Sequence, residues 1–400
     1  MQLSVVDYAK PEDAIGAALD GDRVYFPAYL GPYVPPPGGY KITKSIEIFG
    51  DGAGASDNVT GTLFQPNADN SDVFVVDPSA AAVMVRFRGF TVTTGGAAGG
   101  SAIACRISGT QNNVRALVVE RVSAFNLAGD LIHFEGAALD NSTVERAVIS
   151  DCSLSFGLSL GVFLKNVRSY RLTRCAIIAN PMGGVYAELS CGVLYIPDFD
   201  GNGKSRYATQ GTVRSTNSKL ISLDAPHVED FQNDPQHGGA GSEGAFLENS
   251  SAAVVLGGLF TQHNPHRDST GVRVSGPSAG PVALLGNRFE RVYPAILDLG
   301  SGESCMLSSQ FSDLGGGDPA PGTISFPSDP NSNLGMAGHA AVVVSDPNQD
   351  KRCGLVIPSG NSLPAVGLSD GMLFYLKTNP TTPGALKARV GGAWKTVQFL

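Results

Sequence analysis

The sequence predicts an all-β fold, a right-handed single-stranded parallel β-helix, and three observations carry that expectation. Turn formers are dense, with 50 glycines and 25 prolines in 400 residues, yet 42% of the chain is hydrophobic and only 16% charged. That is too apolar for a disordered chain, and the glycines follow no G-X-Y period, which excludes collagen. A two-part phrase recurs along the chain: an alternating strand ending on Phe, Cys or Val, then a second alternating strand opened by Gly. Amphipathic helical patterning is confined to one short stretch, Pro11–Leu19.

The first half of the phrase reads Val85-Arg86-Phe87-Arg88-Gly89-Phe90, and later copies end at Val122, Cys152, Cys175, Val228, Phe260, Phe289 and Phe311. The endings fall 32, 30, 23, 53, 32, 29 and 22 residues apart, so 53 reads as two turns or as one turn with an insertion. A coil of this length with two or three strands fits a β-helix rung and suits leucine-rich or helical repeats poorly. One rung cannot bury its apolar face alone, whereas a stack of rungs buries a continuous core.

Composition narrows the function classes. The net charge of −8, with no Lys/Arg run, excludes nucleic acid as a main partner. No apolar stretch reaches the roughly 18–20 residues of a membrane-spanning helix. The start, Met1-Gln2-Leu3-Ser4-Val5-Val6-Asp7, lacks the basic and apolar regions of a signal peptide, so export by another route or a removed leader is expected. Six cysteines with no CxxC pair read as small apolar residues of strands rather than as a disulfide framework.

Three divisions follow: a cap and first rungs over 1–50, the coil over 51–330, and a β-rich module over 331–400. Within the first, the residues Gly21-Asp22-Arg23-Val24-Tyr25-Phe26-Pro27, Gly39-Tyr40-Lys41-Ile42 and Ile46-Glu47-Ile48-Phe49-Gly50-Asp51-Gly52 follow the short helix. This pattern resembles the opening of the pectate-lyase-like β-helix superfamily, where a short helix caps the solenoid. Between its halves the proline-rich stretch Tyr29–Pro37 reads as an ordered surface loop. The last segment, from Asp370-Gly371-Met372-Leu373-Phe374-Tyr375 to Gly392-Ala393-Trp394, resembles the small β module that closes phage tail fibres and tailspikes. That resemblance implies a homotrimer located on a virion tail or outside the cell.

Aligning the second halves gives a surface prediction. In Gly161–Lys165, Gly184–Glu188, Gly244–Glu248, Gly271–Ser275 and Pro294–Asp298, alternate residues share a face. One outward column is then Phe163, Tyr186, Phe246, Arg273 and Ile296. A second is Lys165, Glu188, Glu248, Ser275 and Asp298, extended backwards by His133 and Arg106. Aromatic rings flanked by charges at rung spacing are what a carbohydrate groove requires, since rings cover sugar C–H faces and charges hold hydroxyls. The competing reading is a face covered by loops, with the aromatics packed beneath.

Acid chemistry has candidates beside these columns. Glycoside hydrolysis needs two carboxyl groups, and Glu188, Glu229, Asp230, Asp234, Glu243 and Glu248 can supply them. Glu248 with Asp234 is the first pair, and Glu188 the competing partner. The stretch Asn233-Asp234-Pro235-Gln236-His237 is similar to the Asp-Pro-His-Asp motif of alginate epimerases, with Gln236 inserted and no Asp after His237. It implies a lyase or epimerase reading in which His237 works on a uronate, and His263, His266 and Arg267, on the loop after Phe260, are candidates to face the same groove. Asp198-Phe199-Asp200-Gly201-Asn202-Gly203 resembles the first half of a calcium loop, which makes Asp198, Asp200 and Asn202 candidate ligands and calcium the one candidate cofactor. Three functions follow: a polysaccharide depolymerase of the hydrolase type, a uronate lyase or epimerase, and a receptor-binding fibre without chemistry. Each takes a polysaccharide or cell-surface glycan as partner.

Overall fold

The structure, a computed structural model, describes residues 1–54, 61–66, 71–77, 83–107, 113–137, 143–203, 212–218, 221–229, 243–250, 253–262, 270–276, 279–280, 282–290, 292 and 296–299. Beyond these it describes only the strands Cys305–Leu307, Gln310–Ser312, Ile324–Ser325, Val342–Ser345, Cys353–Val356, Ser359–Gly360, Leu373–Leu376, Ala385–Val390 and Ala393–Thr396.

The chain is a parallel β-helix with three strand faces per rung. On the first face, Ala147–Ser150, Tyr170–Thr173, Gly192–Tyr195 and Ile221–Asp224 stack in parallel. On the second, Ser153–Ser155, Ala176–Ile178, Asp198–Asp200 and His227–Glu229 do the same. Near the start of the coil, Val83–Ala98 and Val114–Leu127 run unbroken around the corner between these two faces. The third face is an 11-stranded parallel sheet from Tyr40–Ile42 to Ile324–Ser325.

Corners are made by single residues in the left-handed region. Asp151, Arg174, Ile196 and Ala225 turn the first face into the second, at φ between 47 and 54°. Asn126, Phe156 and Ala179 turn the second, and Asn166, Leu189, Asn217 and Asn249 end strands of the third. A positive φ is strained for non-glycine residues and persists only where neighbours impose it. Here the rungs above and below do so, because corner amides such as Arg174 N and Asn166 N donate to carbonyls of the next rung.

Inside, alternate residues of every face form one core. Phe199, Phe260 and Phe289 are fully buried, the last two stacked at 5.1 Å. Buried polar groups are paired along the axis. Asn180 Nδ2 donates to Leu154 O and to Asn202 Oδ1, and Asn202 Nδ2 donates to Ile177 O at 2.5 Å. Cys105, Cys152 and Cys175 are buried and, like Cys191, free, as expected of apolar strand residues.

The helix lies at Pro11–Ala17, with Pro at its start, Glu12 and Asp13 in its first turn, and Ala14 and Ile15 turned into the core. The proline-rich stretch is anchored by buried Tyr33, whose hydroxyl donates to Pro27 O at 2.7 Å. Past the coil, Ser359–Gly360, Leu373–Leu376, Ala385–Val390 and Ala393–Thr396 form a small separate sheet. Among the described residues no helix is long and apolar enough to cross a membrane.

Register decides one expectation and corrects another. The 53-residue interval is two rungs, because Ile177 pairs with Phe199 and Phe199 with Val228. The intervening rung adds the strand Val213–Thr216 to the third face. Ile296 pairs with Val272 and is fully buried, so it points inward, and Leu297 takes the place beside Arg273.

Candidate functional site

The outward residues of the third face form two columns. Cross-strand register stacks His133, Phe163, Tyr186, Arg214, Phe246 and Arg273 in one. It stacks Arg106, Glu135, Lys165, Glu188, Thr216, Glu248 and Ser275 in the other. His133 therefore belongs to the aromatic column, not to the charged one; Arg106 is where the pattern put it. Arg214 and Glu135 are members that sequence alignment of the phrases missed.

Rungs about 4.8 Å apart bring these side chains into contact. His133 stacks on Phe163 with centroids 4.5 Å apart, and Phe163 on Tyr186 at 5.4 Å. The Arg214 guanidinium lies 5.7 Å from the Tyr186 ring and 5.1 Å from Phe246, and Arg273 lies 4.9 Å from Phe246 on its other side. Phe246 is consequently buried at 8% exposure under two guanidinium groups, while Phe163 and Tyr186 stay half-buried. The result is a continuous stack of rings and guanidiniums running along the coil.

The neighbouring column is salt-bridged lengthwise. Lys165 Nζ lies 3.3 Å from Glu135 and 3.9 Å from Glu188, and these carboxylates hold its proton more firmly than usual. Tyr186 Oη donates weakly to Glu188 at 3.4 Å. Glu248 accepts from Arg214 at 2.6 Å and from Thr216 Oγ1 at 3.3 Å. Arg273 reaches Glu243 at 2.8 Å, where burial raises the Glu243 pKa against the pull of that arginine.

One cluster is more closely bonded than the sequence indicated. Asp130 accepts from His133 Nδ1 at 2.8 Å, from Ser159 Oγ at 2.6 Å and from Leu160 N at 3.1 Å. Burial alone would raise its pKa, but these three donors prevail and lower it. Asp130 thus fixes the imidazole with Nδ1 as donor and leaves Nε2 facing Glu135 Oε2 at 3.3 Å. Beside it a cavity of about 560 Å³ is lined by Asp72, Arg106, Asp130, His133 and Ser159, with Arg106 paired to Asp72. The signal available in the sequence was Asp130-Leu131-Ile132-His133-Phe134-Glu135, an acid just ahead of an alternating His/Glu strand.

Distances discriminate among the carboxylates. Glu188 and Glu248 are two rungs apart in one column, so about 10 Å at the backbone, with uncharged Thr216 between. Glu243 and Glu248 stand at opposite ends of one strand, about 17 Å apart, too far to flank one glycosidic bond. Glu229 lies on the second face near His227 and is not brought to Glu248. Asp230, Asp234, His237, His263, His266 and Arg267 lie outside the described residues.

The calcium candidates are not brought together. Asp198 and Asp200 are outward residues of a strand with Phe199 buried between them, and Asp198 pairs with His227 at 2.7 Å. Asn202 is fully buried, and its side-chain amide is committed to Asn180 and Ile177 inside the coil.

No protein-family model and no curated protein matches the chain. Among solved structures it is similar to a DFA-IIIase variant from Arthrobacter chlorophenolicus, with TM-score 0.57 and 14% identity over 80% of this chain and 86% of that one. It is similar to the A-module of the mannuronan C-5 epimerase AlgE4 from Azotobacter vinelandii, with TM-score 0.50 and 15% identity over 81% and 100%. An Acinetobacter phage tailspike aligns over 99% of this chain and 79% of its own, at TM-score 0.49 and 11% identity. At these identities the shared property is the architecture, and the chain has the pectate-lyase-like right-handed parallel β-helix fold.

Proposed function

We propose that the third face is a glycan-binding groove and that the protein is a tailspike-like polysaccharide depolymerase, cleaving glycosidic bonds between Glu188 and Glu248. The observation that carries this reading is the unbroken stack from His133 to Arg273 beside a parallel column of carboxylates. Because the ring faces are stacked on one another, the column offers a glycan the outward edges of Phe163 and Tyr186 as an apolar strip, and the adjoining acids and cations hold hydroxyls. Among the carboxylates that share the column, Glu188 and Glu248 have a neutral residue between them, whereas Glu135 and Glu188 are bridged by Lys165. Two rungs, about 10 Å at the backbone, separate the strands that carry this pair, so both side chains extend from one column toward the same stretch of bound glycan.

The test uses the full chain and the variants Glu188→Gln and Glu248→Gln on a panel of bacterial and plant polysaccharides. New reducing ends from wild type, reduced by about 100-fold or more in either variant, support hydrolysis. Undiminished product from both variants refutes this pair. Glycan binding without any product replaces the enzyme by a receptor-binding fibre on the same groove.

A second reading has its own observation, the Asp130–His133 pair with Arg106 and Lys165 nearby. A held imidazole beside cations is the equipment for removing a proton next to a uronate carboxylate. Lyase action would then appear as ultraviolet absorbance of unsaturated uronates, lost in His133→Gln; epimerisation would change uronate composition without cleavage. The tail resemblance supports a homotrimer on a virion tail or outside the cell, for which light scattering at three times the 41.4 kDa chain mass is expected.

A further inference from the structure

We propose that a second ligand site, on a different part of the coil from the ladder, takes an anionic oligosaccharide whose carboxylate or sulfate groups are held by Arg88 and Arg121. A groove of about 860 Å³ follows the corner between the first and second faces, lined by Arg23, Phe49, Arg88, Arg121, Asp151 and Arg174. These residues belong to successive rungs. Phe49 pairs with Arg88, Arg88 with Glu120, Glu120 with Ser150 and Ser150 with Thr173, so Arg121, Asp151 and Arg174 follow one another at the corner. From the rung of Arg23 to that of Arg174 is five spacings, about 24 Å. That is too long for one small anion and suits an oligomer.

The cations at the two ends are already engaged. Arg174 makes a two-pronged bond to Asp151 at 2.7 and 3.0 Å, and Arg23 pairs with Glu47 at 2.7 Å. Among the described residues no carboxylate lies within ion-pair distance of Arg88 or Arg121, although Arg121 is near enough to help hold Asp151 ionised, and Arg121 is exposed. Two guanidinium forks on adjacent rungs match planar or tetrahedral oxyanions repeated along a polymer.

An aromatic platform closes the groove at its N-terminal end. Phe49 is half-buried, with Tyr25 stacked at 5.0 Å and the Arg23 guanidinium 4.4 Å from its centroid. Tyr25 is held by Asp51, and that hydrogen bond lifts its pKa to about 12. The Tyr25–Phe49 stack beside the two forks offers an apolar edge next to the groups that hold the charge. The two acids in the groove are engaged by donors of their own, Asp51 by Tyr25 Oη and Ala28 N and Asp151 by Arg174.

The site shares no residue with the ladder, so the two readings fail separately. Calorimetry on the full chain would compare an oligogalacturonate, a sulfated oligosaccharide, a neutral maltooligosaccharide and inorganic phosphate. Tighter binding of either anionic oligomer than of the neutral one is expected, and the better of the two identifies the anion. Affinity should fall by at least about tenfold in Arg88→Gln/Arg121→Gln, and less in Arg88→Lys/Arg121→Lys, which keeps the charge but not the fork. Arg168→Gln/Arg171→Gln, exposed arginines outside the groove, should bind like wild type. Three results overturn the site: anionic oligomers no tighter than phosphate, wild-type affinity in Arg88→Gln/Arg121→Gln, or loss of the anionic ligand only in the Glu188 and Glu248 variants. A neutral glycan cleaved with no anionic oligomer retained removes this site and leaves the depolymerase reading intact.

Discussion

Asp130 is a half-buried carboxylate that remains charged because three donors converge on it. Its folded pKa is depressed, so its stabilising contribution is complete above the unfolded value of about 3.9 and is lost as pH falls through the folded value. Asp130→Asn keeps the shape and removes the charge. It should cost about 1.5–3 kcal/mol at neutral pH, and that cost should shrink as pH approaches 3. Chemical denaturation of both proteins across this range checks it; a cost that does not vary with pH would refute the ionised assignment. The same residue marks a limit of sequence reading. His133 was visible as an outward residue, but Asp130 precedes the strand and its pairing depends on Ser159 and Leu160 one rung away. The local run from Asp130 to Glu135 signals the acid–imidazole pair, but no local pattern encodes the two bonds from the next rung.

At the scale of the strand and its turn, a period of two was legible wherever Gly opened the strand. Phe163, Lys165, Tyr186, Glu188, Arg273 and Ser275 all face outward as alternation requires. The same alternation misled the reading at Asp198–Asp200. Acids two apart with a Phe between are what a strand with a polar outer face looks like, and equally what a metal loop looks like. Phe199 turned inward decides for the strand. Asn202, two residues later, then occupies the corner position that Asn180 holds one rung earlier. This asparagine pair satisfies backbone groups that water cannot reach. Asn180→Ala strands the Gly157 amide and the Leu154 carbonyl and should cost about 2–3 kcal/mol. Because Asn180 and Asn202 bond each other, the double alanine variant should cost less than the two singles combined, by about 0.5–3 kcal/mol. Strict additivity in urea melts would mean that the two do not act as one ladder.

Over the whole coil, each rung touches only the rungs above and below, so stability should behave as a chain of neighbouring couplings rather than as one indivisible core. The N-terminal rungs are filled differently from the middle ones. Phe64 sits at the centre of their aromatic cluster, 4.8 Å from Phe74, 5.0 Å from Phe26 and 5.1 Å from Phe90. The middle rungs instead carry aliphatic layers such as Ile149, Leu172 and Leu194, all fully buried. Phe64→Ala should remove about 3–5 kcal/mol through lost burial and the cavity left behind. In a neighbour-coupled solenoid that loss stays local. Hydrogen exchange on the variant should lose protection in the strands Arg23–Phe26, Tyr40–Ile42 and Glu47–Gly50, while Tyr170–Thr173 and Gly183–Glu188 keep theirs. The groove of Arg88 and Arg121 would loosen with the first group, and the ladder of Tyr186, Glu188 and Glu248 would not. Uniform loss of protection along the coil would instead mean that the stack unfolds as a single cooperative unit, and that the two surfaces cannot be perturbed independently.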